Sequence, residues 1–179
     1  LAGPETPIDR MLVIHRTGSG KTFAMIHILN NYFSDPRPKI VVFPNQELVR
    51  NFYEKMKRTP SQYSAFVQAR ADQNRVANTM TYFRETLGMQ GETHKRGLLG
   101  ELAAPIRPLS YSICGGRQVF SKNGGRPDMP IFRMNWDGRN PFDNKIILMD
   151  EVHNLIRPPA GTDKRLATRL ERMRNALFN

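Results

Sequence analysis

The chain has 179 residues, 39% of them hydrophobic, and its 27 Lys and Arg against 16 Asp and Glu leave a net charge of +11. That length suits one domain with a core of its own, and the apolar share excludes a disordered chain. The charge points to a polyanionic partner, nucleic acid being the commonest, beside the plainer reading of a basic solvated surface.

In chain order, Pro4 and Pro7 mark residues 1–10 as an entry loop. Met11-Leu12-Val13-Ile14 is a continuous apolar run, the length of a buried parallel strand. After a glycine loop, Lys21 to Phe33 reads as a helix apolar on most faces, expected against the sheet and stopped by Ser34-Asp35-Pro36. Ile40-Val41-Val42-Phe43 is a second buried strand. The helix after it is capped by Asn45, with Glu47 in the first turn and Lys55, Lys57 and Arg58 near the last, as the helix dipole favours. Its inner face is Leu48, Phe52 and Met56.

Thr59-Pro60-Ser61 opens a helical stretch over 62–87, closed by Gly88. From Gly88 to Asn144 the chain is Gly/Pro-rich and irregular, with one strand-like piece, Leu109 to Cys114, and turns at Gly115-Gly116 and Asn123 to Pro127. Lys145 to Met149 is the third buried strand, with Asp150-Glu151 at its C-terminal end. Thr162 to Phe178 is an amphipathic helix, with Leu166, Leu170, Met173 and Leu177 on one face and Arg165, Arg169, Arg172 and Arg174 on the rest. The Leu face is expected on the sheet and the Arg face in solvent. Strands alternating with helices predict a parallel α/β sheet.

The loop between the first strand and helix, Thr17-Gly18-Ser19-Gly20-Lys21-Thr22, has the parts that a phosphate tail needs. Gly18 and Gly20 let the backbone N–H groups curl inward toward the anion. Lys21 can reach the β- and γ-phosphates, and the Thr22 hydroxyl can ligate Mg²⁺. The loop therefore predicts ATP binding. Asp150-Glu151 follows an apolar strand, where one carboxylate can hold Mg²⁺ through water and the other can orient or deprotonate the attacking water. Either feature alone has a plain structural reading; together they describe the two halves of an ATPase site.

Three segments carry a family resemblance. His15 to Thr22 resembles motif I of superfamily 2 helicases, although His15 stands where the general phosphate-loop pattern has glycine. Phe43-Pro44-Asn45-Gln46-Glu47-Leu48-Val49 looks like motif Ia, which in the family touches the nucleic-acid backbone, and Asp150-Glu151-Val152-His153 is similar to motif II in its D-E-x-H form. The wording from Leu148 to Pro158, with Ser110-Tyr111-Ser112 upstream, looks most like helicases and transcription ATPases of large DNA viruses. The resemblance implies a P-loop NTPase of RecA-like three-layer architecture with a mostly parallel sheet, here incomplete. It implies Lys21 on the phosphates, Thr22 and Asp150 on Mg²⁺, Glu151 on the water, and His153 as relay of nucleotide state. It implies a DNA or RNA partner, contacted through Pro44, Asn45, Gln46 and the basic surface.

On this reading residues 1–179 are one partial helicase ATP-binding domain with a family-variable middle at 60–144. The third motif and the second motor domain, with its arginine finger, are expected beyond Asn179. The chain alone is then expected to bind ATP–Mg²⁺ with little turnover. Two other readings stay open. One is a non-hydrolysing module; the other is a different P-loop NTPase, such as a small-molecule kinase, which leaves the Phe43 to Leu48 segment unexplained.

The remaining features read plainly. Cys114 is the one cysteine and cannot form an internal disulfide, which fits an intracellular protein and a core or loop thiol. No run is long and apolar enough for a membrane span, and no signal peptide is visible. His15, His27 and His94 have no cluster partners and are not read as metal ligands. Trp136, near Phe132 and Arg133, reads as a satellite contact under a long loop rather than a base-stacking platform, and Lys122 to Arg126 as a flexible loop.

Overall fold

The computed structural model describes residues 3–5, 10–14, 18–88, 105–120, 129–133 and 140–178. Three strands, β1 (Lys39–Phe43), β2 (Ile106–Ser110) and β3 (Ile146–Met149), form an all-parallel sheet in the order β2-β1-β3. The register sets Lys39 between Ile106 and Ile146, and Val42 between Leu109 and Met149. The β1–β3 ladder extends one step, with the Asp150 N–H donating to Val42 O at 2.8 Å.

The period-2 alternation of β1 builds two cores, one on each face. Val41 and Phe43 face α1 (Lys21–Asn31), α2 (Gln46–Arg58), α3 (Gln62–Asn74) and α4 (Met80–Leu87), packing with Met25, Ile26, Leu29, Phe52, Met56, Tyr63, Val67 and Phe83. Ile40 and Val42 face the other way, toward α5 (Tyr111–Cys114), α6 (Pro130–Arg133) and α7 (Lys164–Phe178), with Leu109, Ile131, Phe132, Phe142, Leu155, Leu170 and Met173. The result is a three-layer α/β/α sandwich around a parallel sheet, the RecA-like P-loop architecture that the sequence predicts. Among the described residues no helix is long and apolar enough to cross a membrane.

Helix ends follow their chemistry. The Asn45 side chain accepts from Leu48 N at 3.0 Å and caps α2. Ser61 and Ser64 form a capping box at the start of α3, and Gly88 closes α4 through its N–H to Arg84 O.

Several elements differ from expectation. Residues 11–14 form no strand and lie open to solvent, with Leu12 at 71% and Ile14 at 87% exposure. Arg10 stacks on Phe178 at the end of α7, close to Asn140 ahead of β3, while Lys21 reaches Asp150 at the other end. An apolar run records a preference for burial, not the presence of a layer to bury it. Here the cover over that edge stops at Ile28 and Tyr32 of α1, which pack on Ile146 and Leu148 of β3. Phe23, expected against the sheet, is 50% exposed for the same reason.

The single helix expected over 62–87 is two. α3 stops at Arg75, whose φ of 54° is left-handed, and Thr79 starts α4 by accepting from Tyr82 N. The strand expected from Leu109 to Cys114 ends at Ser110, and Tyr111 to Cys114 is a helical turn; the real strand lies earlier, across Pro108. The arginine-rich face of α7 also departs in part from a solvated one. Arg169 donates to Ser112 O at 3.1 Å and Arg172 to Gly115 O at 2.6 Å, both half-buried, so α7 is bolted to the β2–α5 corner by charge-assisted bonds. The turn at Asn123 to Pro127, Trp136 and His94 lie outside the described residues.

Candidate active site at the strand ends

The C-terminal ends of β1 and β3 and the N-terminus of α1 meet at one edge of the sheet. Gly18 (φ 78°) and Gly20 (φ 84°) are both left-handed, and Gly20 caps α1 with no side-chain hydrogen bond. A Cβ at either position would meet nothing within 4 Å, so it is the backbone conformation, not crowding, that calls for glycine. Gly20 offers no side chain to the first N–H groups of α1, at the end of a helix where an anion is favoured.

Lys21 begins that helix and crosses to the strand end. Its Nζ lies 2.6 Å from Asp150 Oδ1 and 2.6 Å from Glu151 Oε1. The contact with Glu151 is a directed hydrogen bond. Asp150 Oδ1 is buried, and the same ammonium is its ion-pair partner. Desolvation pulls the Lys21 ammonium downward, but hydrogen bonding to the two carboxylates and their charges outweigh it and raise its pKa. The hydrogen bond from Lys21 lowers Glu151 below the usual carboxylate range against a smaller desolvation penalty.

Each carboxylate is held differently. Asp150 is buried, and the hydroxyl of Tyr111, itself buried, donates to the Asp150 carbonyl at 2.8 Å. Glu151 is half-exposed and sits at φ 55°, a left-handed position that costs a non-glycine residue about 1 kcal/mol. It turns the chain out of β3 into a single 3-10 turn, Val152–Leu155. His153 on that turn is exposed, with Nδ1 at 3.4 Å from Glu151 Oε2.

Lys21, Asp150 and Glu151 come together directly, and His153 stands beside them. Thr22 sits next to Lys21 on the first turn of α1, its Oγ1 3.5 Å from Lys55 Nζ. Gly18, Ser19 and Gly20 form the described part of the loop; His15, Arg16 and Thr17 lie outside the described residues. Pro44, Asn45 and Gln46 line the same edge, but Asn45 Oδ1 is engaged as a cap, and Gln46 Nε2 donates to Ser110 Oγ at 3.0 Å, joining the ends of β1 and β2. Two residues at this edge escaped sequence reasoning in these roles. Tyr111 was hidden because its segment read as strand, and Lys55 because a lysine late in a helix already satisfies the dipole.

Asp150, Glu151 and the Thr22 hydroxyl are all hard oxygen donors, and the buried Asp150 oxygen has only a cation as neighbour, which suits Mg²⁺. Among the described residues no group of three or more His, Cys, Asp or Glu stands ready to hold a metal. Mg²⁺ needs no such cage, since it takes one or two carboxylates and keeps water or phosphate for the rest. Lys21 and Glu151 are both half-exposed at the site. A cleft of about 510 Å³ lined by Lys57, Ser61, Gln68 and Asn78, and one of about 450 Å³ between Leu155, Pro158 and α7, both lie away from Lys21.

No curated protein and no solved structure matches the chain. The family described as type III restriction enzyme, res subunit (ResIII), matches over residues 5–176, nearly the whole length. With a parallel sandwich, a glycine turn and a lysine set between two carboxylates at the strand ends, the chain belongs to the ResIII family of helicase-type ATPase domains.

Proposed function

We propose that this chain is the ATP-binding domain of a nucleic-acid-dependent motor that couples ATP hydrolysis to action on DNA or RNA, DNA being what a restriction-enzyme family favours. The observation that carries the reading is the placement of Lys21 Nζ 2.6 Å from both Asp150 and Glu151. A phosphate loop and an acidic strand end, 130 positions apart in sequence, form one electrostatic unit.

The geometry supports the following roles. The Lys21 ammonium occupies the space between the carboxylates and moves onto the β- and γ-phosphates when the triphosphate arrives. Gly18, Ser19 and Gly20 present backbone N–H groups to the same phosphates. Vacated by Lys21, Asp150 and the Thr22 hydroxyl are the groups that would hold Mg²⁺. When bound, that ion neutralises charge on the phosphates. Glu151, more exposed and lowered in pKa, is ionised at neutral pH and placed to orient and deprotonate the attacking water. His153 touches Glu151 and reports its state to the rest of the motor. Pro44, Asn45, Gln46 and the basic surface face nucleic acid.

The test is nucleotide binding by the wild-type chain and by Lys21→Ala. Loss of affinity in the variant supports the assignment, and equal affinity sinks it. In a protein competent for turnover, Glu151→Gln should bind ATP and not hydrolyse it; unimpaired hydrolysis removes Glu151 as the base. Nucleic-acid affinity should fall steeply with salt, and an affinity indifferent to salt rules out backbone contact.

A further inference from the structure

Lys55 lies three turns along α2, yet its Nζ stands 3.5 Å from Thr22 Oγ1 at the start of α1. That distance is at the outer limit of a hydrogen bond, so the hydroxyl does not hold the ammonium firmly. Among the described residues no carboxylate pairs with Lys55, whereas Lys21 one position from Thr22 is matched by two. The side chain is exposed. Among the described residues around Thr22, Lys21 is thus already neutralised and Lys55 is not.

We infer that Lys55 is a second phosphate-binding lysine, reaching from α2 over Thr22 to the terminal phosphates of a bound nucleoside triphosphate. The inference rests on the phosphate-loop reading above. An ammonium on a flexible stem is a compact point charge suited to phosphate oxygens, and its place beside Thr22 puts it at the β/γ end rather than at the nucleoside. Arrival of the triphosphate supplies the anion that Lys55 lacks. It also ties α2, whose first turn carries Asn45 and Gln46, to the nucleotide through a contact that the diphosphate would weaken.

The experiment measures affinity for ATP, ADP and AMP in Mg²⁺ by displacement of a fluorescent nucleotide, on the wild-type chain, Lys55→Ala, Lys55→Gln, Lys55→Arg and Lys21→Ala, with melting temperature as the check on folding. Loss of one charge-assisted contact predicts that Lys55→Ala and Lys55→Gln bind ATP about tenfold more weakly. ADP should lose less, AMP nothing, and Lys55→Arg should keep most of the affinity. Undiminished ATP binding by folded Lys55→Ala or Lys55→Gln, with Lys21→Ala impaired, overturns the role of Lys55 alone. An equal loss for AMP also overturns it, because the effect would then not lie at the terminal phosphates. If Lys21→Ala binds as wild type as well, the phosphate-loop reading fails and this inference with it.

Discussion

Lys39 is wholly buried at the N-terminal end of β1, between Ile106 and Ile146, with its ammonium donating to the Asp35 carbonyl. Burial drives its pKa down from 10.5 to about 8; Asp35 opposes the shift and Arg37 adds to it. Because the folded value lies below the unfolded one, the unfolded chain binds the extra proton between about pH 8 and 10.5, and unfolding free energy must rise with pH across that window. The cost of the buried charge is fully present below pH 8. The shift, 10.5 minus about 8, corresponds to about 3 kcal/mol at 1.36 kcal/mol per unit. Lys39→Met keeps the length of the stem and removes the charge, at the expense of a hydrogen bond worth about 1 kcal/mol. The net expectation at pH 7 is a gain of about 2 kcal/mol, or roughly 4–8 °C in melting temperature for a chain of this size. Urea denaturation of both proteins from pH 7 to 10.5 isolates the effect, since other lysines and tyrosines cancel in the difference. The advantage of Lys39→Met should shrink steadily above pH 8. A difference that is flat with pH, or a variant less stable at pH 7, refutes the reasoning.

Gly115 offers a steric test: a Cβ there would stand 2.3 Å from Arg169 O of α7, so Gly115→Ala should cost about 1–3 kcal/mol and loosen α7, visible in denaturant midpoints. Asn45→Ala removes the α2 cap and should destabilise by about 1 kcal/mol in the same assay, while Asn45→Asp restores it. Arg75 is exposed and left-handed at the end of α3, so Arg75→Gly should stabilise by a few tenths of a kcal/mol up to about 1, and a loss would show that the side chain contributes more than its backbone costs.

The central strands and the site were legible because their signals are local. Val41 and Val42 sit in an unbroken apolar run, Asn45 precedes a helix with an acidic first turn, and Gly18 and Gly20 stand before Lys21. What joined Lys21 to Asp150 and Glu151 was the order of motifs, which the parallel sheet turns into adjacency. The failures share a cause too. Whether Met11 to Ile14 is buried depends on what lies over β3, and nothing in four apolar residues carries that information. Arg75 and Ser110 end elements by backbone conformation and by neighbours distant in sequence. Arg169 and Arg172 look like solvated charges until α5 is placed opposite them.

On the role proposed for Glu151, its left-handed backbone sets stability against chemistry at a single position. Asn or Gly there would relax the chain and make the fold more stable while deleting the carboxylate that meets Lys21. A selection for thermal resistance alone should therefore drift toward losing Glu151, and a selection for turnover should restore it. Even Glu151→Asp, one methylene shorter on the same strained residue, should leave Lys21 reaching for a partner that the backbone no longer brings within contact.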